Sequence, residues 1–130
     1  MKAPKMYHVF YDANGTKGSC YMATDNIQSI ERYFARYPVK HTLDIQETEY
    51  CIGQIVEFKD TWAEDMSHGT MKKAVICRFE KDRMVIDLGW ERFLVYPGDE
   101  FKIVGSVPVD EDGYVADWKE ARKVLMGEAA

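Results

Sequence analysis

Apolar and polar positions alternate with a period of two from the start of the chain, over Met6 to Asp12 and again over Lys17 to Thr24, and Asn14-Gly15 sits between them. Period two marks strands, and Asn-Gly is the strongest short hairpin signal because a type I' turn needs positive φ at both central residues. With Asn14 and Gly15 as the turn, Ala13 pairs with Thr16, Asp12 with Lys17, Val9 with Cys20 and Tyr7 with Met22. That register places Tyr7, Val9, Tyr11, Cys20 and Met22 on one face, and His8, Phe10 and Tyr21 on the other. The period then lengthens. Ile27, Ile30, Phe34 and Tyr37 fall at helical spacing between a capping-box-like Asp25/Gln28 and the terminator Pro38, predicting a helix over Asp25 to Tyr37 whose stripe covers the Tyr7/Val9/Met22 face. His41 to Thr48 alternates again and predicts a third strand, completing a ββαβ unit.

From Ile52 the signals are short strands: Ile52 to Phe58, Lys73 to Glu80, Arg83 to Leu88, Glu91 to Val95 and Glu100 to Val107, with turns at Lys81-Asp82 and Pro97-Gly98. A two-residue turn at Lys81-Asp82 pairs Phe79 with Met84, Cys77 with Ile86 and Val75 with Leu88, and sets Glu80 against Arg83. Five strands at this spacing predict a small SH3-like antiparallel β-barrel. The tail reads as an acidic turn, Asp110-Glu111-Asp112-Gly113, that caps a helix starting near Asp117. That helix starts at Asp117 with Glu120 three residues on, Trp118, Ala121 and Leu125 form its stripe, and Gly127 is the stop. The expected fold class is therefore α+β in one compact body: a ββαβ lobe over residues 1–50, a barrel lobe over 51–108, and the acidic turn with a C-terminal helix over 109–130. Trp90 and Trp118 are expected in the core.

One polar stretch interrupts the strands. Trp62 to Met71 is a long gap for a compact domain, and such loops are often functional. It carries Trp62, Glu64, Asp65 and His68, an indole anchor followed by carboxylates, which we expect to contact a protein partner with a basic surface. A Trp62 that folds back to plug the barrel end is the competing expectation. A possible secondary surface is His8, Phe10 and Tyr21 near Lys17, the ingredients of a base-stacking platform, against which stands burial of that face between the lobes.

Composition narrows the function. The chain has 130 residues, 46% of them hydrophobic, and a net charge of -5, with the acidic excess after Asp60 (10 basic against 14 acidic residues). Such a surface does not favour duplex nucleic acid, whose affinity rests on clustered Lys and Arg. No apolar run approaches the roughly 18 residues of a membrane helix, and the N-terminus has no signal-peptide pattern, so a cytoplasmic protein is expected. Three separated cysteines (Cys20, Cys51, Cys77) predict reduced thiols, Cys20 and Cys77 pointing into cores and Cys51 left open as a reactive thiol.

Chemical motifs are missing. No HxH, HExxH or CxxC offers a metal site, and the twelfth position counted from Asp110 is Ala121 where a calcium loop needs Glu, so no metal is expected. No GxxxxGK[ST] or GxGxxG is present, and Gly15-Thr16-Lys17-Gly18 lies in a hairpin, so no nucleotide cofactor is expected either. Catalytic residues are expected to be none. This combination of size, mild acidity and missing chemistry resembles the profile of phage or mobile-element accessory proteins, including anti-CRISPR inhibitors that block a basic nucleic-acid-handling complex. The leading expectation is a non-enzymatic protein-interaction module, monomeric or a homodimer through a barrel edge. A single-stranded nucleic-acid binder, using the hairpin aromatics and Lys72, Lys73 and Arg78, is the alternative, and a Cys51-dependent enzyme the third.

Overall fold

The computed structural model describes residues 2–60, 70–98 and 100–127. Ten elements follow in order: β1 (Lys5–Ala13), β2 (Thr16–Thr24), α1 (Ile27–Phe34), β3 (Thr42–Glu47), β4 (Gln54–Asp60), β5 (Thr70–Glu80), β6 (Arg83–Asp87), β7 (Arg92–Val95), β8 (Lys102–Ser106) and α2 (Trp118–Leu125). The protein is α+β, with two antiparallel sheets ordered β2-β1-β3 and β7-β6-β5-β4-β8.

The first hairpin has the register that its alternation predicts, from Lys5 opposite Thr24 to Ala13 opposite Thr16. Asn14 and Gly15 both adopt positive φ (55° and 88°), and the Gly15 amide donates to Asp12 Oδ1 at 2.8 Å. α1 covers the expected face: Tyr7, Val9, Ile30 and Phe34 form a small core, with Tyr11, Cys20, Met22, Leu43 and Ile45 packed around it. The helix is shorter than its stripe suggests. Asn26, not Asp25, is the cap, its side chain accepting from the Gln28 amide at 3.0 Å. Tyr37 lies beyond the C-terminus, exposed.

All five later strands form, but they do not close into a barrel. The edges, β7 and β8, are not paired with each other among the described residues. β7 is only four residues long and Pro97, which has no amide hydrogen, follows it closely. Instead the Tyr50 hydroxyl ties down the connection between β7 and β8, its one hydrogen shared between the Gly98 and Phe101 carbonyls, while the Phe101 ring packs on Phe58 at 5.3 Å. The β5–β6 register also departs from expectation. Phe79 opposes Met84 and Glu80 opposes Arg83, as predicted, but Cys77 has no partner and Ile76 takes its place opposite Ile86, so Val75 faces Asp87 instead of Leu88. An extra residue on β5 makes a bulge there, which bends the strand and shifts every later pair.

The large core joins the sheets. Met6, fully buried, packs with residues of β4, β5 and β6 and with Ala121 of α2, and Tyr21 and Ala23 of β2 lie against the same cluster. Two backbone hydrogen bonds tie the parts, Ala23 N to Lys81 O (2.6 Å) and Ala3 N to Asp112 O (2.7 Å), while Thr48 N to Met6 O (3.0 Å) extends the β1–β3 ladder. The acidic turn is a closed one, Asp110 Oδ1 accepting from the Asp112 and Tyr114 amides beneath a Val109–Val115 bridge. It does not cap the helix as expected. That role falls to Asp117, which accepts from the Lys119 and Glu120 amides, and Gly127 ends the helix at φ 79°.

Candidate functional site

Trp62, Glu64, Asp65 and His68 of the loop expected to touch a partner lie outside the described residues, whereas Thr70 and Met71, expected at its end, belong to β5, where they pair with Asp60 and Lys59. The hairpin face is described, and its aromatic residues are together. His8 stacks on Tyr21 (ring centroids 4.3 Å, interplanar 21°) and against Phe10 (4.2 Å, 34°), because His8 opposes Tyr21 in register and Phe10 follows two residues along the strand. Part of this face is the junction between the sheets, since Met6, Ala23 and Tyr21 pack on the large core. Phe10 is 38% exposed and free of that junction. Around it the register places Asp44 directly opposite on β3 and Asp12 two residues along β1, with Lys17 across from Asp12. Tyr21 and Phe10 both lie against the His8 ring, so a base entering here finds Phe10 as its open ring, beside two carboxylates.

No described cysteine is paired with a described histidine. His8 is inside its aromatic stack, and His41 sits among the rings of Tyr11, Phe34 and Tyr37 with Nδ1 at 2.9 Å from the Val39 carbonyl. Burial pushes the Cys20 thiol up, with Asp82 adding to it, and burial likewise raises Cys77 against the opposing pull of Arg92. Both shifts disfavour the thiolate, the reactive form. Cys51 is exposed, and its amide donates to Gln54 Oε1 at 2.7 Å. Among the described residues, no three His, Cys, Asp or Glu side chains gather as metal ligands, and no helix is long and apolar enough to cross a membrane.

A cluster that the sequence does not announce lies on the outer face of β5, β6 and β7. Asp87 has 0% exposure and accepts four hydrogen bonds or close approaches: Arg92 Nε (2.7 Å), Arg122 Nη2 (2.9 Å), Arg122 Nε (3.4 Å) and the Gly89 amide (2.8 Å). Burial alone pushes the Asp87 carboxyl up. The hydrogen bonds from Arg122, Arg92 and Gly89 outweigh it and hold the group below the ordinary carboxylate range. The two guanidinium groups also lie against the Trp118 indole, 4.8 Å (Arg92) and 5.7 Å (Arg122) from its centre. Trp118 is thus half-buried on the α2 stripe, near expectation. Trp90 departs from it, at 69% exposure, because the turn between β6 and β7 carries it away from the sheet.

Alternation along β6 explains why Asp87 looks ordinary in the sequence: Met84, Ile86 and Leu88 face the large core, and Arg83, Val85 and Asp87 face outward. Only the arrival of α2, 35 residues later, buries the carboxylate. In comparisons with protein-family models, curated proteins and solved structures, none matches this chain.

Proposed function

We propose that this chain is a small, acidic, non-enzymatic protein-interaction module that engages a basic surface of its partner, in the manner of a phage or mobile-element inhibitor of a nucleic-acid-handling defence complex. The observation that carries the reading is Phe10, an exposed ring at the end of the His8–Tyr21 stack with Asp44 and Asp12 on the same sheet face. An arginine or lysine laid over that ring gains a cation–π contact of about 0.5–1 kcal/mol at an exposed site, and the carboxylates supply the complementary charge. We read the five-stranded sheet as SH3-like, since the meander β4-β5-β6-β7 with β8 returning beside β4 supports that connectivity. Trp62, Glu64, Asp65 and His68, between β4 and β5, are proposed as a second contact.

The test uses three tagged baits in source-cell lysate: wild type, Phe10→Ala/Asp44→Asn, and Trp62→Ala/Glu64→Ala/Asp65→Ala, each first checked for native circular dichroism. The expected result is a stoichiometric protein with a basic surface on the wild-type bait that is lost from at least one variant. An empty wild-type bait, or a partner kept by both variants, overturns the reading.

A further inference from the structure

Four of the six arginines in this acidic chain, Arg78, Arg83, Arg92 and Arg122, come together on one surface. The β5–β6–β7 register sets three rows on the outward face: Asp87 opposite Arg92, then Arg78 opposite Val85 and Val85 opposite Leu94, then Glu80 opposite Arg83. Beyond Leu94 the Tyr96 hydroxyl accepts from Arg83 Nη2 at 2.9 Å, and the Arg83 guanidinium lies over the Tyr96 ring at 4.6 Å. At about 3.4 Å rise per residue the rows span roughly 13 Å along the strands. Arg122 joins the first row from α2. The acids beside these arginines are already engaged, Glu80 with Arg78 at 2.8 Å, Asp82 with Arg83 at 3.7 Å and Asp87 with both Arg92 and Arg122, so four guanidinium groups meet three carboxylates.

Two features make this face a prepared surface for anions. Asp87 is a buried splint: Arg92 spends only Nε on it and Arg122 spends Nε and Nη2, so their remaining N–H groups are held in place without being used. Fixed guanidinium groups lose less freedom on binding an oxyanion and suit its paired oxygens. Between the arginines stand apolar and aromatic surfaces with no core role, Leu94 at 46% and Tyr96 at 55% exposure.

We propose that this face binds single-stranded nucleic acid, with backbone phosphates on Arg92, Arg122, Arg78 and Arg83 and a base extending the Arg83–Tyr96 stack. Cationic rows interleaved with rings are what a strand without sequence preference needs, since every base has a face to stack. An acidic peptide would use the arginines and leave the Tyr96 ring idle. This surface is separate from the Phe10 face, and the inference does not rest on the proposed protein partner.

Fluorescence anisotropy with a labelled oligothymidylate at low salt tests it on the full chain. Wild type is expected to bind with a log–log salt slope of about -1.5 to -3, corresponding to two to four phosphate contacts at about 0.7 each. Arg78→Gln/Arg83→Gln, at half-exposed positions that make no hydrogen bond to Asp87, is expected to flatten that slope by about 1.4 and weaken binding roughly tenfold or more. Arg32→Gln/Arg36→Gln on and after α1 removes the same charge and is expected to change nothing. No binding by wild type, equal weakening by both double variants, or equal affinity for a labelled polyglutamate peptide would each overturn the proposal.

Discussion

Gly53 shows how one residue sets the geometry of a whole sheet. Its φ is +94°, its amide donates to the Ile76 carbonyl and its own carbonyl accepts from the Val107 amide, both at 2.8 Å. A Cβ added there would lie 2.6 Å from Val109 Cγ1, whereas one added at Gly15, with φ +88°, meets nothing within 4 Å. Gly15→Ala is therefore expected to cost only the backbone strain, about 1–2 kcal/mol, and Gly53→Ala about 1–3 kcal/mol more than that. Urea unfolding of the two variants checks this, and equal losses would show that Val109 yields freely. The Gly15 requirement is readable from Asn-Gly alone. The Gly53 requirement is not, because Val109 approaches it only in the folded chain.

Among the elements, α2 depends most on a contact made outside itself. Its stripe of Trp118, Ala121 and Leu125 is legible, and so is the Asp117 cap, but the ion pair by which Arg122 reaches Asp87 on the sheet is not. Asp87→Asn is expected to cost about 2–3 kcal/mol, below the 3–5 of a fully buried pair, because both arginines are half-exposed and screened by water. The Asp87 carboxyl is depressed in the folded protein. Its stabilisation is accordingly complete above the unfolded value near 3.9 and is lost as pH falls through the lower folded value. Thermal melts from neutral pH down to about 3 should show the wild type losing its advantage over Asp87→Asn as the acid side is reached; a constant gap would deny the linkage. The bulge at Cys77 belongs to this scale too. The period-two pattern of β5 and β6 implies continuous pairing, and the extra residue breaks it where both strand faces are covered: Ala74 through Cys77 are all buried, so alternation no longer marks a side.

At the scale of the molecule, β1 is shared between two cores. Tyr7 and Val9 face α1, and Met6 enters the cluster of the five-stranded sheet. Met6→Ala is expected to cost about 2–5 kcal/mol and to lower the melting of both sheets together, which amide exchange on β2 and β6 would report. Protection lost from one sheet alone would show that the cores unfold independently. Surface chemistry is divided as well, with carboxylates around Phe10 on one sheet and arginines on the outer face of the other. What the sequence by itself determined is local: the Asn14-Gly15 hairpin and its faces, the Ile30 and Phe34 centre of the α1 stripe (Ile27 and Tyr37 are exposed), the five strand segments and the Asp117 cap, because each rests on periodicity or turn chemistry within a few residues. Only the tertiary structure decided that the five-stranded sheet stays open, that Trp90 is outside, that Asp87 is buried, and that arginines from positions 78 to 122 share one surface. Those outcomes depend on contacts between residues far apart in the chain, which no local pattern encodes.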